Sequence, residues 1–158
     1  MNKILSTIGI VLALSLTAQQ SFAAGEFDKP IKARQSFMQI YAFNLGLLGA
    51  MAKGKRPYDA KLAAAAASNL VAATNMKNSA MWPKGSDSAA LGKKVTRAKP
   101  ENWTNYPDAA KKGKALKTAL TKMAAVAGNG LDAVKANIGA VGKGCKGCHK
   151  EFRVKKKK

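Results

Sequence analysis

Histidine and cysteine are nearly missing from this sequence. One histidine and two cysteines occur in 158 residues, and all three fall within positions 145–149. That scarcity excludes a multi-bridge disulfide framework, and also a four-ligand metal site built from thiols and imidazoles alone. Acidic side chains are few as well, eight against 28 lysines and arginines, for a net charge of +20. Aromatic residues make up 6% of the chain, too few and too scattered to interleave with the basic residues as the stacking platforms of single-strand binders do. No apolar run reaches the length of about 20 residues that a membrane span needs, so no integral membrane segment is expected.

What is present begins with an export signal. Met1-Asn2-Lys3 is a short basic start, residues 4–16 are mostly apolar, and Ser21 and Ala23 place small side chains at the −3 and −1 positions of a cleavage site. Residues 1–23 are therefore expected to be removed. This takes away Lys3 as the only charge, and 158 − 23 leaves 135 residues with a net charge of +19. That length suits one domain with one core. Export implies a soluble periplasmic protein in an oxidising compartment, and this argues against nucleic acid as the partner of the positive charge. Acidic proteins or anionic lipid surfaces are the partners that remain. Residues 155–158, all lysine, read as a solvated basic tail after a domain spanning 24–154.

Helical periodicity dominates that domain. A first helix is expected over residues 29–53, with Met38, Tyr41, Leu45, Leu48 and Ala52 along one stripe, ended by Gly54 and Pro57. A second starts at Asp59 as N-cap and runs to about Met76 through the small residues 63–67. A long connection over 77–107 follows, in which Trp82 and Trp103 are the expected packing anchors. The third helix opens after Pro107-Asp108 and stops at Gly128-Asn129-Gly130. The fourth is the most regular: Leu131, Val134, Ile138, Val141, Cys145, Cys148 and Phe152 alternate in steps of three and four, the seam of a bundle helix. The fold class expected is all-α, an antiparallel up-down-up-down four-helix bundle.

Both cysteines lie on that seam, within GKGCKGCHKEFR at 142–153. Three chemistries compete for C-K-G-C-H. Structural zinc lacks a fourth ligand, and a thiol-disulfide motif lacks the preceding strand of its usual context. Covalent haem attachment fits best. Thiols three residues apart stand on one helix face and reach one edge of a porphyrin, while the next residue offers an imidazole to the iron. A basic structural protein with an accidental motif is the remaining alternative.

The surrounding residues extend this motif into a family pattern. C-K-G-C-H-K-E-F-R on the last helix, Arg34-Gln35-Ser36-Phe37-Met38 on the first, Pro57-Tyr58-Asp59-Ala60 and Pro100-Glu101-Asn102-Trp103 together resemble the class II c-type cytochromes, the cytochrome c′ family. The resemblance implies one covalent haem c near the C-terminal helix, with Cys145 and Cys148 as thioether attachments and His149 as the proximal iron ligand. It also implies Arg34 near a haem propionate, Arg153 near the proximal imidazole, and Met38 facing the iron as distal ligand in the low-spin branch of the family. The function implied is a periplasmic carrier of single electrons, not an enzyme; acidic redox partners are expected from the chain's positive charge. The alternative is a five-coordinate haem protein that binds nitric oxide or carbon monoxide. A homodimer through the first two helices belongs to the same expectation, with residues 63–67 as a close-packing surface. The strong positive charge departs from the family pattern.

Overall fold

The computed structural model describes the backbone of residues 19–156 and the side chains of 25–156. Most of the expected export signal, and the last two lysines of the tail, lie outside the described residues. Four long helices carry the architecture: α1 (Gln19–Ala52), α2 (Ala60–Asn75), α3 (Tyr106–Val126) and α4 (Leu131–Phe152). Each packs against its neighbours in chain order, and α4 closes the ring against α1. The result is the expected up-down-up-down four-helix bundle.

The helices begin and end for identifiable reasons. Asp59 caps α2, its carboxylate accepting from Leu62 N at 2.9 Å. Gly54, at φ +68°, closes α1 in a left-handed turn that a side chain would strain. Tyr58 ties the α3–α4 turn back to the start of α2: its hydroxyl donates to Ala127 O and accepts from Gly130 N, both at 2.9 Å. α1 starts earlier than residue 29 and runs through Pro30. The proline removes one ladder bond there, but Ile31, Arg34 and Phe37, all buried, anchor the helix immediately beyond it.

The core consists of Leu48 and Met51 from α1, Ala63, Ala66, Ala67 and Leu70 from α2, Leu120, Met123 and Ala127 around the end of α3, and Val134 and Val141 from α4. Small side chains on α2 let the neighbouring helices approach closely. Three of the five alanines at 63–67 are consumed in this core, which leaves Ala65 exposed and Ala64 half-buried on the outward side. The inner stripe of α1 also differs from the expected one. Phe37 is buried at 4% exposure and meets Tyr41 edge-on at 5.3 Å, while Met38 is 40% exposed.

The connection from α2 to α3 is not a loose loop. A 3-10 turn at Ser79–Met81 and a single helical turn at Glu101–Thr104 break it up. Trp82 and Trp103 lie 6.0 Å apart at its centre, and Trp103 Nε1 donates to Trp82 O at 3.0 Å.

Candidate functional site

The seam of α4 places the sulfur and imidazole groups. Every seam position from Leu131 to Phe152 is buried or half-buried, so Cys145 and Cys148 face inward, one turn apart. The two thiols look to different neighbours. Burial pushes the pKa of the Tyr41 phenol, on α1, up to about 12, and Cys145 lies close enough to add to the shift. Cys148 lies on the α3 side, near Lys112 and Asp108. α3 and α4 come together at Gly144, where an added Cβ would stand 3.1 Å from Leu116 Cδ1 and 3.3 Å from Leu116 Cα. Glycine at that position brings the two helices close beside the thiols.

Electrostatics favours ligand chemistry over redox chemistry. Both thiols are free, and burial raises both pKa values. Disulfide-exchange cysteines need the opposite shift, towards the thiolate. His149 is pushed towards its neutral form, first by burial and then by the positive charges of Arg153 and Arg97. A neutral imidazole is the form that binds iron. No cluster of three His, Cys, Asp or Glu able to hold a bare metal ion occurs among the described residues. Two inward thiols one turn apart, with a neutral imidazole beside them, fit the attachment of haem c.

The candidate arginines hold the chain around these groups. Arg34 is 4% exposed and forms the hub of the long connection. Its Nη1 donates to Ser86 Oγ at 2.7 Å and Met81 O at 3.3 Å, and its Nη2 to Ser86 O at 2.5 Å and Thr96 Oγ1 at 2.8 Å. The guanidinium also lies 5.0 Å from the centre of the Trp82 ring and 5.9 Å from that of Trp103. Arg153 is exposed at the end of α4, where its N donates to His149 O at 3.3 Å. An isolated antiparallel bridge pairs it with Ala98. Val154 N to Arg97 O at 2.8 Å, Lys99 N to Phe152 O at 3.1 Å and Asn102 Nδ2 to Phe152 O at 2.8 Å complete the strap. Arg34 therefore fixes the connection from α1, and the connection fixes the turn of α4 that carries His149.

Sequence reasoning missed Arg97, Ser86 and Thr96. No periodic signal marks them, because they act from irregular backbone. Tyr41 belongs to the expected inner stripe of α1, and its proximity to Cys145 is what the tertiary structure adds. Met51, at the C-terminal end of α1, is fully buried in the core, whereas Met38 stands clear of it.

Comparison with known proteins agrees with this site. The family described as Cytochrome C′ matches residues 29–153. Cytochrome c-554 of Cereibacter sphaeroides is 36% identical over 149 residues, covering 92% of this chain and 95% of that protein. A solved cytochrome c′ from Rhodobacter spheriodes superimposes with a TM-score of 0.79 at 36% identity, over 82% of this chain and 98% of that one. A cytochrome c′ described as having an unusual ligand-controlled dimer dissociation gives a TM-score of 0.71 at 30% identity, over 82% and 97% of the two chains. A nitric oxide complex of a cytochrome c prime variant from Alcaligenes xylosoxidans gives 0.70 at 29% identity, again over 82% and 97%. With a family match that runs from the start of the bundle to Arg153 and a C-x-x-C-H stretch facing inward on the last helix, the chain belongs to the cytochrome c′ family of c-type haem proteins, and its cofactor is covalently attached haem c.

Proposed function

We propose that this is an exported, periplasmic carrier of single electrons, matured by cleavage after Ala23, whose one haem c is bound by Cys145 and Cys148 and ligated by His149. The observation that carries the reading is the pair of inward, half-buried thiols one turn apart on α4 with a neutral imidazole at the next position. When bound, the haem supplies a one-electron couple at its iron. The residues of the chain bind and orient it. Cys145 and Cys148 fix one edge to α4, and His149 offers its ring nitrogen from the turn that the Ala98–Arg153 strap holds in place. Arg34 and Arg97 add positive charge around the site, and Arg153 does so on the proximal side. Met38, free of the core, supplies a thioether to the distal face, an axial partner suited to electron transfer.

Two measurements test this. Pigment that stays with the acid-extracted, denatured polypeptide of the wild type, and is lost from the Cys145→Ser/Cys148→Ser variant, supports covalent attachment. Complete release from the wild type refutes it. Low-spin spectra in both oxidation states, with poor carbon monoxide binding that Met38→Ala improves, support the distal thioether.

A second reading is five-coordinate iron that captures nitric oxide or carbon monoxide. The nitric oxide complex of a structural relative favours it. A high-spin reduced spectrum with ready carbon monoxide binding would establish this reading over the first.

The outer face of α1 supports a homodimer. Between Gln35 and Ala52 the helix has no charged residue, and the described residues leave Ile40 at 47% and Phe43 at 67% exposure. Apolar side chains in such an uncharged setting mark a contact surface.

A further inference from the structure

We propose that the groove between α3 and α4 is the docking surface for an acidic protein partner; this deepens the electron-carrier reading and rests on it. The groove is open, of about 450 Å³, and its floor is made of small side chains such as Ala119 and Ala140. Lys112, Lys122 and Lys143 line it, no carboxylate does, and it runs to the Cys148 side chain. A partner seated there would lie against the edge at which the haem is attached.

Charge complementarity identifies the partner. Charges in this bundle are segregated: α1 from residue 35 and α2 from residue 62 have none, while α3 and α4 carry nine lysines against three carboxylates. Lys112 keeps Asp108 at 3.5 Å, while Lys122 and Lys143 have no ion pair among the described residues. Two ammonium groups, one from α3 and one from α4, lining a groove of small side chains suit carboxylates presented by another protein. The small side chains beneath them remove the steric barrier to close approach. Such a field raises the association rate more than the final affinity.

The test uses the haem-loaded protein and a reduced acidic flavodoxin as probe. One electron passes from the flavin hydroquinone to the ferric haem, leaving semiquinone and ferrous iron. Lys112→Gln/Lys122→Gln/Lys143→Gln should slow the bimolecular step about tenfold at low ionic strength, with the difference vanishing at high salt. Lys29→Gln/Lys53→Gln/Lys61→Gln removes the same charge elsewhere and should slow it less than about twofold. Equal slowing by both triples would overturn the inference, because net charge and not the groove would then govern the encounter. Amide shifts of the labelled wild-type holoprotein on adding oxidised flavodoxin provide a readout independent of electron transfer. They should cluster at Ala115, Ala119, Ala140 and Gly144. Clustered shifts with no electron exchange would uphold the groove and sink the electron-carrier reading. Shifts at these amides with phosphatidylglycerol vesicles but not with flavodoxin would overturn the protein partner in favour of a membrane surface.

Discussion

Replacing Arg34 with methionine removes a buried guanidinium that no carboxylate among the described residues pairs. Burial lowers its pKa, and Asp87 opposes that only from a distance. The charge is held by four hydrogen bonds and two indole faces, so the cost of losing it can be worked out group by group. Ser86 Oγ still donates to Pro83 O at 2.7 Å, and Thr96 Oγ1 still accepts from Ala98 N at 3.2 Å. The two hydroxyls thus keep one partner each. Met81 O and Ser86 O lose their side-chain donor, at about 1–2 kcal/mol each. Loss of the cation–π contacts adds about 1–2 kcal/mol. Relief from burying a charge offsets part of this sum. The net expectation is a destabilisation of about 2–4 kcal/mol, and Arg34→Lys should recover less than half, because an ammonium cannot reach both sides of the fork. Guanidinium denaturation of the holoprotein, followed in parallel by tryptophan fluorescence and far-UV circular dichroism, measures it. Both tryptophans of the chain lie in this hub, so in the variant the fluorescence transition should precede the loss of helix. A midpoint within about 0.5 kcal/mol of wild type, with the two probes still coincident, would refute the reasoning.

Gly144→Ala and Gly142→Ala should move stability in opposite directions. The first drives a methyl to 3.3 Å from the Leu116 backbone and should cost about 1–2 kcal/mol after the gain in helix propensity. The second meets nothing within 4 Å and should stabilise by about 0.5–1 kcal/mol, as thermal denaturation of the two variants would show. Tyr41 should ionise with a midpoint of about 12 in an ultraviolet difference titration, and Tyr41→Phe should abolish that phase. The folded phenol's pKa lies above its unfolded value of about 10. Tyr41 therefore contributes stability below pH 10 that is lost as the pH rises towards 12, and the phenylalanine variant should lose less stability across that window. Ile40→Lys/Phe43→Glu should yield a monomer in sedimentation equilibrium at concentrations where the wild type sediments as a dimer. A wild type that is monomeric at high concentration would remove the α1 interface.

The number and order of the helices, the N-cap at Asp59, and the inward seam that carries both cysteines were legible in the sequence. Each rests on local chemistry: a side chain and a backbone three residues away, or a repeat of 3.6. The seam of α4 was clear because lysines and other polar residues occupy its opposite face and set the rotation. On α1 the same method put Met38 in the stripe, where the structure leaves it 40% exposed and buries Phe37. Residues 35–52 have no charge anywhere around the helix, so periodicity could not tell Phe37 from Met38, and the rotation was decided by contacts with other elements. Arg34 reaches partners 47 to 62 residues away, and Phe37 packs into the bundle. The same distance hid the hub itself. Ser86, Thr96 and Arg97 lie in irregular backbone with no period to read, and their meeting with α1 and with the turn of His149 exists only once the four helices have closed the space between them.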